Sequence, residues 1–149
     1  MTTLETVREF LAASFPQTKG IVVEVAPRSA TVRYPVGFGE LRPGGTVSGP
    51  VLMTAADLAL YVAILGTIGI VPLAVTANLN ISFLRKPAAH RDIIAVCRLL
   101  KVGRTLATGD VALYSEGDSE QVAHAVGTYA IPQRPGLDPT PETAVKVEG

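Results

Sequence analysis

Tryptophan is absent from the 149 residues, and cysteine occurs once, as Cys97. A single thiol excludes an intrachain disulfide and any metal centre built from several cysteines. Histidine is nearly as scarce. His90 and His124 stand far apart, with no acidic or cysteine partner at ligand spacing. No zinc, EF-hand, phosphate-loop or dinucleotide-binding motif occurs either, so nothing points to a metal or a bound cofactor. Excess charge of either sign is also missing, because Lys+Arg and Asp+Glu both number 13. Zero net charge implies neither an extended phosphate-neutralising surface nor an acidic solvating tail, and nucleic acid is not an expected partner. The chain opens without the charged, apolar and small-residue succession of a signal peptide, which leads us to expect a reduced, cytoplasmic protein.

What is present is apolar material, 48% of the residues, enough for one core in a chain too short for two ordinary domains. Residues 1–131 read as that single domain. Residues 132–149 hold four prolines and no apolar periodicity, and read as a flexible tail. Between Pro50 and Val75 only Asp57 is charged. A membrane span is the rival reading of this run. A lone Asp in a lipid-facing helix costs about 2.5–3.5 kcal/mol, and Gly66, Gly69 and Pro72 interrupt the run. A helix buried in a core, without contact with a membrane, fits better.

The rest of the chain divides by period. Leu4, Val7, Leu11 and Phe15 repeat at helical spacing, which predicts an amphipathic helix over residues 3–15, stopped by Pro16. Residues 21–25 and 29–35 predict two short strands around Pro27. The following loop carries Gly37, Gly39, Gly44, Gly45 and Gly49, so it makes tight turns close to something. Pro50 suits a first helical position, with Ser48 or Gly49 as the cap, and the helix runs to residues 64–67. Because this helix is apolar nearly all round, it must be covered on most sides, as a sheet wrapped around it would do. Past Pro72 the period falls to two: Val75, Ala77, Leu79, Ile81 and Phe83 alternate with Thr76, Asn78, Asn80 and Ser82. Further strands are expected over 92–101, 107–116 and 121–131, joined by short turns that favour an antiparallel meander.

Chemistry concentrates at Asp57. A carboxylate in an apolar helix is costly unless it is hydrogen-bonded, hydrated or facing a cleft. It is either a hydrogen-bonding partner for a neighbouring element or a general base or nucleophile tuned by its surroundings. The glycine-rich lead-in ends at a helix N-terminus, whose unpaired N–H donors suit a carbonyl oxygen or an oxyanion. Leu60, Tyr61 and Ile64 follow Asp57 on the same helix and are either core or the lining of a tunnel.

The run Arg42-Pro-Gly-Gly-Thr-Val-Ser-Gly-Pro-Val-Leu-Met-Thr-Ala-Ala-Asp57, followed by Thr76-Ala-Asn-Leu-Asn-Ile-Ser-Phe-Leu-Arg-Lys-Pro-Ala88, resembles the hotdog-fold acyl-CoA thioesterases of the phenylacetate-pathway type. The resemblance implies an α+β hotdog fold, with an antiparallel sheet wrapped around one long central helix. It also implies subunits that pair their sheets, dimers that often form tetramers, and an active site at the subunit interface. The family motif is His-Gly-Gly followed by an acidic residue, and here Ser48, Gly49 and Pro50 take the three motif positions with Asp57 as the acid. By resemblance, Gly49 polarises the thioester carbonyl through its N–H. Asp57 activates water or attacks the carbonyl carbon across the interface, and Thr76 helps place the water or the acyl group. Asn78 is expected on the same strand face as Thr76, with Ser48 and Tyr61 beside the substrate. Arg85, Lys86, Arg91 and Arg104 are candidates for the coenzyme phosphates. Coenzyme A is then part of the substrate, and no further cofactor is implied. A hotdog protein that binds acyl-CoA without hydrolysing it is the alternative, since Ser48 replaces the motif histidine and Pro50 removes a second backbone donor.

Overall fold

A computed structural model describes residues 2–132, so the expected tail lies almost wholly outside the described residues. The first helix, α1, spans Leu4–Ser14, capped by the Thr3 hydroxyl, and buries Val7 and Leu11 as the stripe predicted. Strands β1 (Ile21–Ala26) and β2 (Ser29–Tyr34) follow. The glycine-rich segment is more ordered than a plain loop: a 3₁₀ turn at Phe38–Glu40 leads into a small ribbon of β3 (Leu41–Arg42) and β4 (Thr46–Val47). Gly44 and Gly45 close that ribbon with φ of 99° and 75°, the left-handed region that glycine enters without steric cost. Glu40 anchors the segment, accepting from the Gly37 N–H at 2.7 Å and pairing with Lys19 at 2.6 Å.

Helix α2 runs over Gly49–Ile68 with Ser48 as its N-cap, and Gly69 ends it at a φ of 106°. By length and composition it could cross a membrane. In this fold it is enclosed instead: Leu52, Leu58, Leu60, Val62, Ile64 and Leu65 are all buried. Leu60 and Ile64, which the sequence left open as tunnel lining, belong to this core.

The covering layer is one antiparallel six-stranded sheet in the order β1-β2-β6-β7-β8-β5. Its later strands are β5 (Val75–Phe83), β6 (Ile93–Val102), β7 (Leu106–Ser115) and β8 (Ala123–Ala130). The last three form the expected meander. Strand β5 does not adjoin β6; it pairs with β8 and leaves its other side as an open edge. The architecture is the α+β hotdog arrangement.

Small residues floor the sheet where α2 lies closest. A Cβ on Gly127 would stand 2.6 Å from Leu60 Cδ1, and one on Gly109 would stand 3.1 Å from Leu60 Cδ2. Leu60 thus occupies a notch that only two glycines leave open. Gly127→Ala is expected to destabilise the fold by about 1–3 kcal/mol through overpacking. Urea denaturation checks it: combining the change with Leu60→Val recovers part of the loss, so the two effects are not additive.

Candidate active site

Asp57 lies on the second turn and a half of α2, half-buried, at the wall of a cavity of about 530 Å³. Two hydroxyls converge on one of its oxygens. Thr76 Oγ1 donates to Oδ1 at 2.6 Å, and Tyr129 Oη donates to the same Oδ1 at 2.9 Å. Tyr129 Oη also lies 3.1 Å from the Asp57 carbonyl oxygen. Hydrogen bonds to a charged group contribute about 1.5–3 kcal/mol each, which offsets the carboxylate's desolvation. Phe10, Phe15, Leu58, Tyr61 and Val75 give the same cavity its apolar walls. Tyr61 stacks on Tyr129 with ring centroids 6.0 Å apart, and donates to the Pro72 carbonyl at 3.0 Å.

Thr76 reaches Asp57 because β5 is not a regular strand. The register pairs Thr76 with Tyr129 but Asn78 with Thr128, so Ala77 is the extra residue of a bulge. Directly paired residues share a face of the sheet, which puts Thr76 beside Tyr129 on the helix side. Asn78 follows Thr128 to the opposite face. The expectation that Thr76 and Asn78 share a face is therefore corrected: simple alternation held only as far as the bulge.

Tyr129 is the residue that sequence reasoning missed. Its strand was read only for period, although Tyr129 continues an inward row whose other members are Ala123, Ala125 and Gly127. A phenol among such small inward residues needs an acceptor, and Asp57 is the one acid of the facing helix. Burial, with the nearby Asp57 carboxylate adding to it, raises the Tyr129 pKa well above its ordinary value of 10.0. Burial raises Tyr61 as well.

Gly49 opens onto a separate cavity of about 420 Å³, shared with Arg42, Phe83, Arg85 and Lys86. Eight residues of helix separate it from Asp57, about 12 Å along the axis. The first turn of α2 leaves it as the donor without an intrahelical partner. Pro50 has no N–H, while Val51 and Leu52 donate to the Ser48 carbonyl at 3.2 and 3.3 Å. The Ser48 hydroxyl caps the helix by accepting from the Val51 N–H at 3.4 Å. The Phe83 ring rests on Gly49, where an added Cβ would meet it at 3.2 Å.

The cationic candidates are dispersed in one chain. Arg85 pairs with Glu120 at 2.9 Å beyond the Phe83 end of β5, and Arg91 Nη1 lies 3.4 Å from the Glu116 carbonyl. Arg104 sits in the β6–β7 turn, at the end of the sheet where Leu106, Ala130 and Val75 align. His124, unpartnered in sequence terms, finds Asp110 across the strands at 3.0 Å.

The thioesterase superfamily model matches residues 44–122, which contain Gly49, Asp57 and Thr76. The chain belongs to that superfamily, whose hotdog-fold members hydrolyse acyl-CoA thioesters, and it is a thioester hydrolase. No functionally curated protein matches it. A candidate thioesterase of Silicibacter sp. is 41% identical, with 89% of this chain and 93% of that one covered at a TM-score of 0.81. Zebrafish thioesterase superfamily member 2 is 26% identical, with 89% and 100% covered at a TM-score of 0.77. The phenylacetic acid degradation protein PaaI of Thermus thermophilus is 27% identical, with 83% and 99% covered at a TM-score of 0.67.

A raised phenol pKa means that Tyr129 keeps its proton, and so remains a donor, through and beyond pH 10. Tyrosinate absorbance near 295 nm compared between wild type and Tyr129→Phe is expected to coincide up to alkaline unfolding. A component of ordinary pKa lost in the variant would contradict the buried, hydrogen-bonded phenol.

Proposed function

We propose that this chain acts as a symmetric dimer that hydrolyses acyl-CoA at the subunit interface, with Asp57 of one subunit opposite Gly49 of the other. The observation that carries this reading is the separation of the two groups. Asp57 and Thr76 stand at the Val75 end of β5, and Gly49 at the Phe83 end, in different cavities. A twofold axis through the middle of β5 that pairs it with its copy antiparallel reverses the ends. Each Asp57 then faces the partner's Gly49, and the partner's Arg85 approaches Arg104. The open edge suits such pairing: it is nine residues long, contains no proline, and carries Val75 and Phe83 at 56% and 55% exposure.

In this arrangement water is the nucleophile. Thr76 donates a hydrogen bond to Asp57 Oδ1 and keeps its proton, so the hydroxyl oxygen remains able to accept a hydrogen bond from water. Asp57 Oδ2 accepts the other proton as the water oxygen attacks the thioester carbonyl carbon. The Gly49 N–H of the partner, at the positive end of α2, stabilises the oxyanion. Collapse breaks the carbon–sulfur bond, and the proton held by Asp57 passes to the leaving thiolate, giving free acid and coenzyme A. Arg85, Lys86 and Arg104 meet the coenzyme phosphates in this reading, and the apolar cavity beside Asp57 takes the acyl group. A single cysteine, buried and with its thiol pushed up to about 12 by burial, supports placing the protein in the reducing cytoplasm.

Asp57→Asn is expected to lose at least about a hundredfold in thiol release from acyl-CoA while remaining dimeric. Gly49→Pro removes the N–H and is also expected to be inactive. Mixing the two variants after unfolding restores about a quarter of wild-type activity, because half of the dimers are mixed and each holds one intact site. Dimers that form yet stay inactive would place Asp57 and Gly49 within one subunit.

A further inference from the structure

Tyr129 combines three observations that the proposed chemistry does not use. It is 4% exposed, and its hydroxyl meets Asp57 twice, at Oδ1 at 2.9 Å and at the main-chain oxygen at 3.1 Å. Its register partner is Thr76, the other donor to that same oxygen. Its ring stacks on Tyr61, one helical turn beyond Asp57. One phenol therefore grips both the carboxylate and the backbone of the turn that carries it, from a strand that α2 does not share.

We propose that Tyr129 is a positioning residue for thioester hydrolysis, fixing Asp57 in the rotamer that turns Oδ2 toward the substrate. This inference rests on Asp57 being the base. A carboxylate on a helix explores several staggered rotamers, and a single hydroxyl leaves it free to rotate about that one contact. Thr76 alone does not fix it, because its hydroxyl meets Asp57 only at Oδ1, whereas the Tyr129 hydroxyl meets both Oδ1 and the main-chain oxygen of Asp57. Tyr129 comes from the interior of the sheet, paired on both sides by β5 and β7. With Oδ1 occupied by both hydroxyls, Oδ2 is the oxygen left for water. The phenol does not exchange a proton in the reaction, and it touches Asp57 rather than the reacting atoms.

The test is the kinetics of Tyr129→Phe, which keeps the ring and its stacking on Tyr61, beside wild type, Asp57→Asn, Thr76→Val and the double variant Thr76→Val/Tyr129→Phe. A positioning role predicts that Tyr129→Phe lowers kcat about ten- to a hundredfold, with KM within about twofold and melting close to wild type. It also predicts non-additivity: the double variant falls by less than the product of the single losses, or by more, because both hydroxyls serve one oxygen. An unchanged kcat in Tyr129→Phe overturns the proposal while leaving Asp57 as the base. So does a fall that only follows the folded fraction of the variant. Wild-type turnover that Asp57→Asn retains overturns the reading of Asp57 itself, and the inference about Tyr129 with it.

Discussion

The structure depends on enclosing one helix that has almost no polar side chains. Helix α2 cannot lie on a surface, so the sheet must wrap it, and the sheet must be floored with residues small enough to let it approach. Ala30, Ala95, Ala107, Ala123 and Ala125 are buried in that floor together with Gly109 and Gly127. Small inward residues set the depth at which the helix lies. Large side chains on α2, Leu60 above all, then fill the notches. Within β8 the large inward residue is Tyr129, after Ala123, Ala125 and Gly127, and it stands where the helix carries its one charge.

Enclosure also decides where a polar group is tolerated. Asp57 survives in an apolar helix because two neighbouring strands each bring a hydroxyl to it. One of those strands needs a bulge to do so. In a regular strand Ala77 would pair with Tyr129, and alternation would turn Thr76 outward and leave Oδ1 to Tyr129 alone. The local irregularity in β5 and the lone carboxylate in α2 are therefore parts of one device, although 19 residues separate Asp57 from Thr76 in sequence.

Period and punctuation made most of this architecture legible. The two helices, the break at Pro16, the strand from Val75 and the three-stranded meander all follow from the spacing of apolar residues and from turn-forming residues. Asp57 announced itself by contrast with its helix, and Gly49 by its place before Pro50. The order of strands was not legible, because which edge β5 takes is settled by how the sheet closes over α2 and not by any local signal. The bulge was not legible either, since Thr76-Ala77-Asn78 reads as ordinary alternation. Tyr129 needed three-dimensional knowledge as well: only the antiparallel pairing of β8 with β5 sets it against Asp57.

Ser48 at the motif's histidine position acquires a physical reading from the cap. A serine there closes the helix, occupying Val51 with its hydroxyl and carbonyl and Leu52 with its carbonyl. Pro50 contributes a fixed φ and no donor. These neighbours leave Gly49 as the donor at the tip of α2 without an intrahelical acceptor, with the helix's positive end behind it. A glycine is also what the Phe83 ring accepts at that point, so the donor is held in place from the strand side. In the proposed mechanism, replacement of histidine and of the second glycine narrows the oxyanion contact to one N–H and stiffens its surroundings. On that reading hydrolysis depends on how rigidly the proposed opposite partner, Asp57, is held, which makes the two hydroxyls on its Oδ1 the natural complement to a single-donor oxyanion site.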